Sequence, residues 1–324
     1  MTVLVTGGAG YVGSHVLKEL LAGGVPCVVL DNLERGHREL VLDAELVVGD
    51  IADSTLVRDV LDRYRVDAVM HFAAYASVGG SVGNPASYYR NNVAATGNLL
   101  ECMVQAGVQK LVFSSTCATY GLPLSNPITE DHPQQPVNPY GTSKVMVEHM
   151  LRDFDSAYGL RSIALRYFNA AGADPSGKIG EWHEPETHLI PIALQTALGL
   201  RDAVEVYGTD YPTADGTCIR DYIHVTDLAQ AHILGLQRLR ADHPSDVFNL
   251  GNGNGFSVRS VIKTVERVVG RRIPWTAAPR RAGDPHTLVG SALKAREVLG
   301  WSPRFADLEM IIDSAWKWHR SRTG

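Results

Sequence analysis

Cysteine is scarce: four thiols, Cys27, Cys102, Cys117 and Cys218, in 324 residues. No two form a CxxC pair and no Cys/His group has zinc spacing, so no metal is expected and reduced thiols in a cytoplasmic protein are the simple reading. Long blocks of Lys and Arg are also missing, and the formal charge is −5. A nucleic-acid or anionic-membrane partner is therefore disfavoured. No apolar run is long enough to cross a bilayer. The opening "MTVLVTGGAG" passes straight into a strand and a glycine turn without a basic and apolar leader, so export is not expected. There are no repeats. What is plentiful is apolar residue, 45% against 20% charged, enough to bury one large core or two modest ones.

Short β-branched runs at 3–6, 27–31, 44–50, 67–72, 110–115 and 161–167 read as strands. Helical patterns fall between them, notably over 11–22, 87–107 and 143–159. Strands alternating with helices imply crossover connections, hence a parallel sheet with helices on both faces. After Arg166 the texture changes: 169–190 is rich in Gly, Pro, Asp and Glu, without a period. That suggests a long functional loop or the entry to a second domain. A strand and turn at 247–253, a helix over 257–270 capped by Ser257 and a final helix over 305–320 follow. The expected class is α/β. A doubly wound parallel sheet of Rossmann type occupies 1–168 and 221–245, and a smaller α/β substrate-binding domain occupies 169–220 and 246–324.

"TGGAGYVGSH" places Gly7, Gly10 and Gly13 between a strand and a helix. Glycine lets the turn bend sharply and lets backbone N–H groups approach a phosphate, which the helix N-terminus attracts. The spacing is GxxGxxG, and the context carries the signal: strand before, helix after, Asp31 ending the next strand. A carboxylate there accepts from a ribose 2′-OH and repels a 2′-phosphate, which favours NAD over NADP. Arg35, His37 and Arg38 could bind such a phosphate but read as a solvated loop beside Asp31.

"STCATYG" and "YGTSK" supply the chemistry. Tyr140 and Lys144 lie four positions apart, one turn on one helix face. A free phenol, with pKa near ~10, is a poor base at neutral pH. An ammonium nearby and the positive nicotinamide of NAD⁺ would favour the phenolate, which could take a proton from a sugar hydroxyl while hydride leaves the same carbon. Thr116, at the end of its strand, could hydrogen-bond the same oxygen.

With these motifs in view, the chain resembles the extended short-chain dehydrogenase/reductases, and among them the UDP-hexose 4-epimerase branch. "DNLERGH", "YYRNNVAAT", "PVNPYGTSK", "LRYFNAAGA", "IGEWHEPETHLIP", "RDYIHVTDLA" and "RRAGDP" carry the likeness, which covers essentially the whole chain. It implies a catalytic set of Tyr140, Lys144 and Thr116. It implies cofactor contacts from Gly7, Gly10, Tyr11, Val12, Gly13, Asp31, Asn32, Asp50, Ile51, Phe72, Ala73, Ala74, Asn91, Ser114, Tyr140, Lys144 and Phe168. For a UDP-sugar it implies Thr116, Tyr140, Asn169, His188, Leu189, Val206, Tyr207, Arg220, Arg281 and Asp284. Related 4,6-dehydratases carry an Asp–Glu pair after the threonine; here Cys117 and Ala118 stand there, so elimination lacks its catalysts and C4 epimerisation remains. UDP-galactose and UDP-glucose are the expected substrates. UDP-glucuronate, UDP-N-acetylglucosamine or a UDP-pentose stay open, as does a non-catalytic sensor on the same fold. Three positions depart from many relatives: Ala76 replaces a cofactor-facing lysine, His188 stands where some carry asparagine, and Leu288 is intermediate at a position that tunes access for N-acetylated sugars. The resemblance also implies a homodimer, with Val145, Met146, Met150 and Leu151 available for a seam.

Overall fold

Alternation inside the first strand sets the architecture. Val3 and Val5 pack into one apolar layer and Leu4 into another, so this strand is buried on both faces. The computed structural model describes residues 1–281 and 283–322. The first half of the chain runs β1 (Thr2–Thr6), α1 (Tyr11–Ala22), β2 (Cys27–Asp31), β3 (Glu45–Val48), α2 (Ser54–Arg63), β4 (Val66–His71), α3 (Val78–Gly83), α4 (Pro85–Tyr88), α5 (Ala95–Gln105), β5 (Lys110–Thr116), α6 (Pro139–Tyr158) and β6 (Arg161–Tyr167). The second half runs β7 (Asn169–Ala171), α7 (Leu189–Ala197), β8 (Val204–Tyr207), β9 (Ile219–His224), α8 (Val225–Arg240), β10 (Asp246–Leu250), β11 (Gly255–Ser257), α9 (Val258–Val269), β12 (Trp275–Ala278), β13 (Thr287–Leu288), α10 (Leu293–Leu299) and α11 (Leu308–Ser321).

A seven-stranded sheet has the order β10-β6-β5-β4-β1-β2-β3, every neighbouring pair parallel. The chain moves outward from β1 to β3 and then returns to β4 on the other side of β1. That reversal opens a crevice at the carboxyl ends of β1 and β4, where doubly wound sheets bind ligands. Leu17, Leu20, Leu228 and Leu236 from α1 and α8 belong to one layer. Val57, Leu61, Leu99, Met103, Val147 and Leu151 from α2, α5 and α6 belong to the other. A smaller unit joins the pair β8–β12 to a sheet of β11-β9-β13 with β7 on β9. Its core includes Ile190, Leu194, Val261, Val265, Ile311 and Ile312. Among the described residues no helix is long and apolar enough to cross a membrane.

Three details differ from the sequence reading. Asp246–Leu250, expected in the smaller unit, forms the edge strand of the large sheet beside β6, because Phe248 and Leu250 complete the layer under α8. The helix expected over 87–107 is broken by a π-helical turn at Tyr89–Ala94. Wide turns of this kind re-aim side chains. Here Asn92 accepts from the Tyr75 N–H (2.8 Å) and donates to the Tyr75 carbonyl (2.9 Å) and Ser143 Oγ (3.1 Å). Finally, α6 begins four residues before Ser143. Pro139 takes its first turn, and Asn138 Oδ1 caps it by accepting from the Gly141 N–H at 2.8 Å.

Candidate active site

The glycine turn after β1 delivers the N-terminus of α1 to the crevice. Gly10 caps the helix without a side-chain hydrogen bond, so the first N–H groups face the cavity with no competing acceptor from a cap. Gly13 is required for the close approach: a Cβ there would lie 2.3 Å from the Gly7 carbonyl oxygen. Gly13→Ala is expected to push the turn open, and protein purified from it should carry a small fraction of the wild-type nicotinamide cofactor, read by release and chromatography.

Asp31 ends β2 facing this turn. Its Oδ2 accepts from the Ala9 N–H and its Oδ1 from the Leu33 N–H, both at 2.9 Å. Burial raises its pKa, and those two bonds oppose the rise. Each carboxylate oxygen keeps a free lone pair, so the group can hold the turn and still receive a ribose hydroxyl. Asp50 accepts from Asn32 Nδ2 at 3.1 Å and from the Ala52 N–H at 2.8 Å. His37, weighed above as a phosphate ligand, stacks on Trp182 with ring centroids 3.5 Å apart.

The carboxyl end of β5 carries Ser114, Ser115 and Thr116 to the same crevice. Thr116 Oγ1 caps a short turn by accepting from the Ala118 N–H at 3.2 Å. The N-terminus of α6 presses against that turn, where a Cβ on Gly141 would sit 2.4 Å from the Ala118 carbonyl. Only glycine allows this approach, and the approach sets Tyr140 beside Thr116. Burial raises the Tyr140 pKa well above the ordinary phenol value, opposed by a hydrogen bond with Thr116. Lys144 is 3% exposed. Its Nζ donates to the Ser114 carbonyl at 2.8 Å and lies 4.7 Å from the Phe113 ring centroid. Burial lowers its pKa to about 7, against the pull of Glu148. Burial likewise pushes the Cys117 thiol up to about 12. Tyr167, not anticipated from the sequence, shares a 2.6 Å hydrogen bond with Ser114 Oγ.

Across the crevice the smaller unit presents cations. Arg220 donates to the Pro285 carbonyl at 2.9 Å and lies 3.5 Å from Asp284. The Arg281 guanidinium stacks 3.8 Å from the Tyr207 ring centroid. Asn169 Nδ2 donates to the Asp221 carbonyl at 2.9 Å. Asp221 itself accepts from the N–H groups of Asn252, Gly253 and Gly290, tying β9 to two loops.

One cavity of about 1580 Å³ connects these walls. Every residue expected from the sequence to touch cofactor or substrate lines it, except Val206. Val206 is fully buried in the core of the smaller unit, at its pairing with Ala277. Cys117, Ala118 and Leu288 line the cavity too. So do Glu181, His183, Glu186 and His188, which gather their donor atoms within 4.8 Å of one another. Burial pulls the His183 pKa down, but hydrogen bonds and charge from Glu181 and Glu186 outweigh it and raise it to about 10. The signal for this cluster was present as E-x-H-x-x-E-x-H, spread over glutamate and histidine rather than cysteine.

Comparison with known proteins gives the same picture. The NAD dependent epimerase/dehydratase family model matches residues 3–251. The UDP-glucose 4-epimerase of Halalkalibacterium halodurans is 52% identical over 320 residues, covering 99% of this chain and 96% of that one. The crystal structure of UDP-glucose 4-epimerase from Brucella ovis in complex with NAD is 50% identical, with a TM-score of 0.95 and 97% of each chain covered. That of the Bifidobacterium longum enzyme in complex with NAD⁺ and UDP is 38% identical, with a TM-score of 0.94, over 100% of this chain and 99% of that one. A glycine turn, an acid-ended second strand, a buried Tyr/Lys pair and full-length likeness thus converge, and the chain belongs to the NAD dependent epimerase/dehydratase family.

Proposed function

We propose that this protein interconverts UDP-galactose and UDP-glucose by inverting C4 through a 4-keto sugar. The observation that carries the reading is the meeting of Tyr140, Thr116 and Lys144 with the glycine turn in one cavity whose far wall bears Arg220 and Arg281. The residues fit NAD: Gly13 lets the first turn of α1 pack directly on the glycine turn, which keeps the helix N-terminus at the cavity, and Asp31 retains acceptor capacity for a 2′-OH. When bound, NAD supplies the hydride acceptor and donor for the C4 carbon. Asp31 and the α1 N-terminus would hold its adenosine and diphosphate, with Lys144 and Phe168 at the other end.

Tyr140 takes the proton of the sugar 4-OH and later returns it. Thr116 hydrogen-bonds the same oxygen and orients it. Arg220 and Arg281 grip the diphosphate, for which a planar guanidinium fork is suited. Binding energy is thereby placed on the non-reacting nucleotide, leaving the hexose free to present either face. Cys117 stays a protonated thiol at neutral pH and Ala118 has no titratable group, so the step after oxidation is reduction and not elimination. We further propose a cytoplasmic homodimer. Of the candidate seam, Met146 of α6 is exposed, as are Val78 and Val82 of α3, which packs on α6, while Leu151 is spent on the core.

Incubation with UDP-galactose, UDP-glucuronate, UDP-N-acetylglucosamine and UDP-xylose, followed by product identification, tests the substrate. Fastest conversion of UDP-galactose to UDP-glucose is expected; preference for another sugar by more than tenfold would overturn the hexose assignment. Leu288→Ala, widening the cavity wall, is expected to raise turnover of the N-acetylated sugar relative to UDP-galactose. No turnover of any sugar by protein retaining NAD would favour a sensor.

A further inference from the structure

Between β7 and α7 the chain folds back on itself. Four side chains drawn from eight consecutive residues converge there: Glu181, His183, Glu186 and His188. The two carboxylates are enclosed, their side chains 3% and 2% exposed, while the imidazoles are 35% and 54% exposed. Enclosed carboxylates need a positive partner. His183 Nδ1 lies 3.2 Å from Glu181 Oε1 and 3.9 Å from Glu186 Oε2. His188 Nδ1 contacts Glu181 Oε1 and lies 3.7 Å from Glu186 Oε1. Both rings therefore turn the same nitrogen toward one point between the carboxylates.

We propose that this cluster binds one divalent first-row transition cation, with Zn²⁺ the best fit, through Nδ1 of His183 and His188 and one oxygen each of Glu181 and Glu186. Two nitrogens and two oxygens are the donor set that zinc accepts in four-coordinate sites; calcium and magnesium ask for six or more oxygens. A doubly charged ion neutralises the two carboxylates with both imidazoles uncharged. Tetrahedral zinc brings its donors to about 3.3 Å from one another, so side-chain torsions need to draw the widest pair in by about 1.5 Å and let the Glu181–His188 contact open.

The surroundings are already fixed for this. Glu186 Oε1 accepts from the N–H groups of Thr187 and His188 at 2.7 and 2.8 Å. Trp318 Nε1 donates to the Glu181 carbonyl at 2.9 Å, and Arg201 donates to the Glu186 carbonyl at 3.3 Å. The Tyr11 ring meets His183 edge-on at 6.1 Å, which places the cluster against the first turn of α1. Four protein donors close the coordination sphere, so the ion would act as a clamp and not as a Lewis acid. It would fix the cavity wall that continues into Leu189. Engaging Nδ1 of His188 leaves its Nε2 free to meet a ligand in the cavity.

The proposal is independent of the substrate assignment, because binding is read with metal alone. Tag-free protein with its nicotinamide retained is stripped with chelator and dialysed against ZnCl₂ or CoCl₂. One equivalent per chain is expected, with the intense visible bands of four-coordinate cobalt. His183→Ala and His188→Ala should each weaken binding on the order of 100-fold, whereas His243→Ala, at an exposed position, should leave it unchanged. Zinc should raise the melting temperature of the wild type and not of His183→Ala. The proposal is overturned by substoichiometric binding, by the weak spectrum of six-coordinate cobalt, or by affinity indifferent to both substitutions. Should a variant fail to fold, the wild-type stoichiometry and cobalt spectrum decide alone.

Discussion

Tyr140→Phe is expected to slow C4 inversion by roughly 10²–10⁴-fold, the usual contribution of a positioned acid–base group. NAD content and melting temperature should stay near wild type, because the substitution removes one oxygen and keeps the ring. The size of the effect follows from geometry and charge together. The phenol is buried, and burial holds it protonated in the free chain. Thr116 opposes this through a hydrogen bond, and Lys144 sits one turn on, where it donates to the Ser114 carbonyl. The lysine is itself pulled down to about 7 by burial. The sequence suggests that an ammonium and the positive nicotinamide together favour the phenolate. In the structure, burial opposes ionisation of the phenol and pulls the lysine down to about 7, which reduces the share that the ammonium can supply. Ionisation of Tyr140 therefore depends on positive charge that arrives with the oxidised cofactor. The control is Cys117→Ser, which changes a wall residue whose thiol holds its proton at neutral pH and is expected to keep the rate within about tenfold. Near-wild-type turnover in Tyr140→Phe would show that another group moves the proton.

Much of this frame was legible beforehand because the signals are local. The glycine turn, the acid ending β2 and the Tyr/Lys spacing each depend on a few neighbouring residues. The strands under them are apolar runs with clear ends. What escaped the sequence depends on partners far apart in the chain. Val206 was expected to face a UDP-sugar, whereas its side chain belongs to a core with Ile190 and Val261. Asp246–Leu250 pairs with β6 of the large sheet, since which sheet accepts a strand is decided by the layer under α8 and not by the strand. The Glu/His cluster contains no cysteine, and its four side chains meet only because the segment before α7 folds back on itself. Tyr167 and Asp221 look like ordinary strand residues until Ser114 and three loop N–H groups are seen to meet them.

Glu148→Ala is expected to cost about 3–5 kcal/mol of folding stability, the range for removing one partner of a buried ion pair. Glu148 lies on α6 one turn beyond Lys144, and its carboxylate is the hub of the site's floor. Oε1 accepts from Ser115 Oγ at 2.5 Å and from Arg166 Nε at 2.9 Å. Oε2 accepts from Gln134 Nε2 at 2.9 Å and from the Arg166 terminal nitrogen. Arg166 is 4% exposed, so alanine would strand its guanidinium with the Tyr120 hydroxyl at 2.9 Å as its main remaining partner. The strain reaches the chemistry, because Ser115 adjoins Thr116 and α6 carries Tyr140; activity should fall along with stability. The contrasting substitution is Glu309→Ala, which breaks the pair with Arg267 between side chains 53% and 64% exposed and should move stability by less than about 1 kcal/mol. Denaturant titration of both variants measures the difference. An acid limb follows from the same pair. Burial raises the Glu148 pKa, but Arg166 and the hydroxyl and amide donors outweigh it and hold the group below the ordinary glutamate range. A carboxylate depressed in the folded chain contributes stability in full above its unfolded value and loses it as pH falls through the folded one. Wild-type stability should therefore decline below about pH 4.5, whereas Glu148→Ala, lacking the group, should show a shallower decline over the same interval. Equal slopes in the two proteins would mean that the pair does not set the acid limit of the fold.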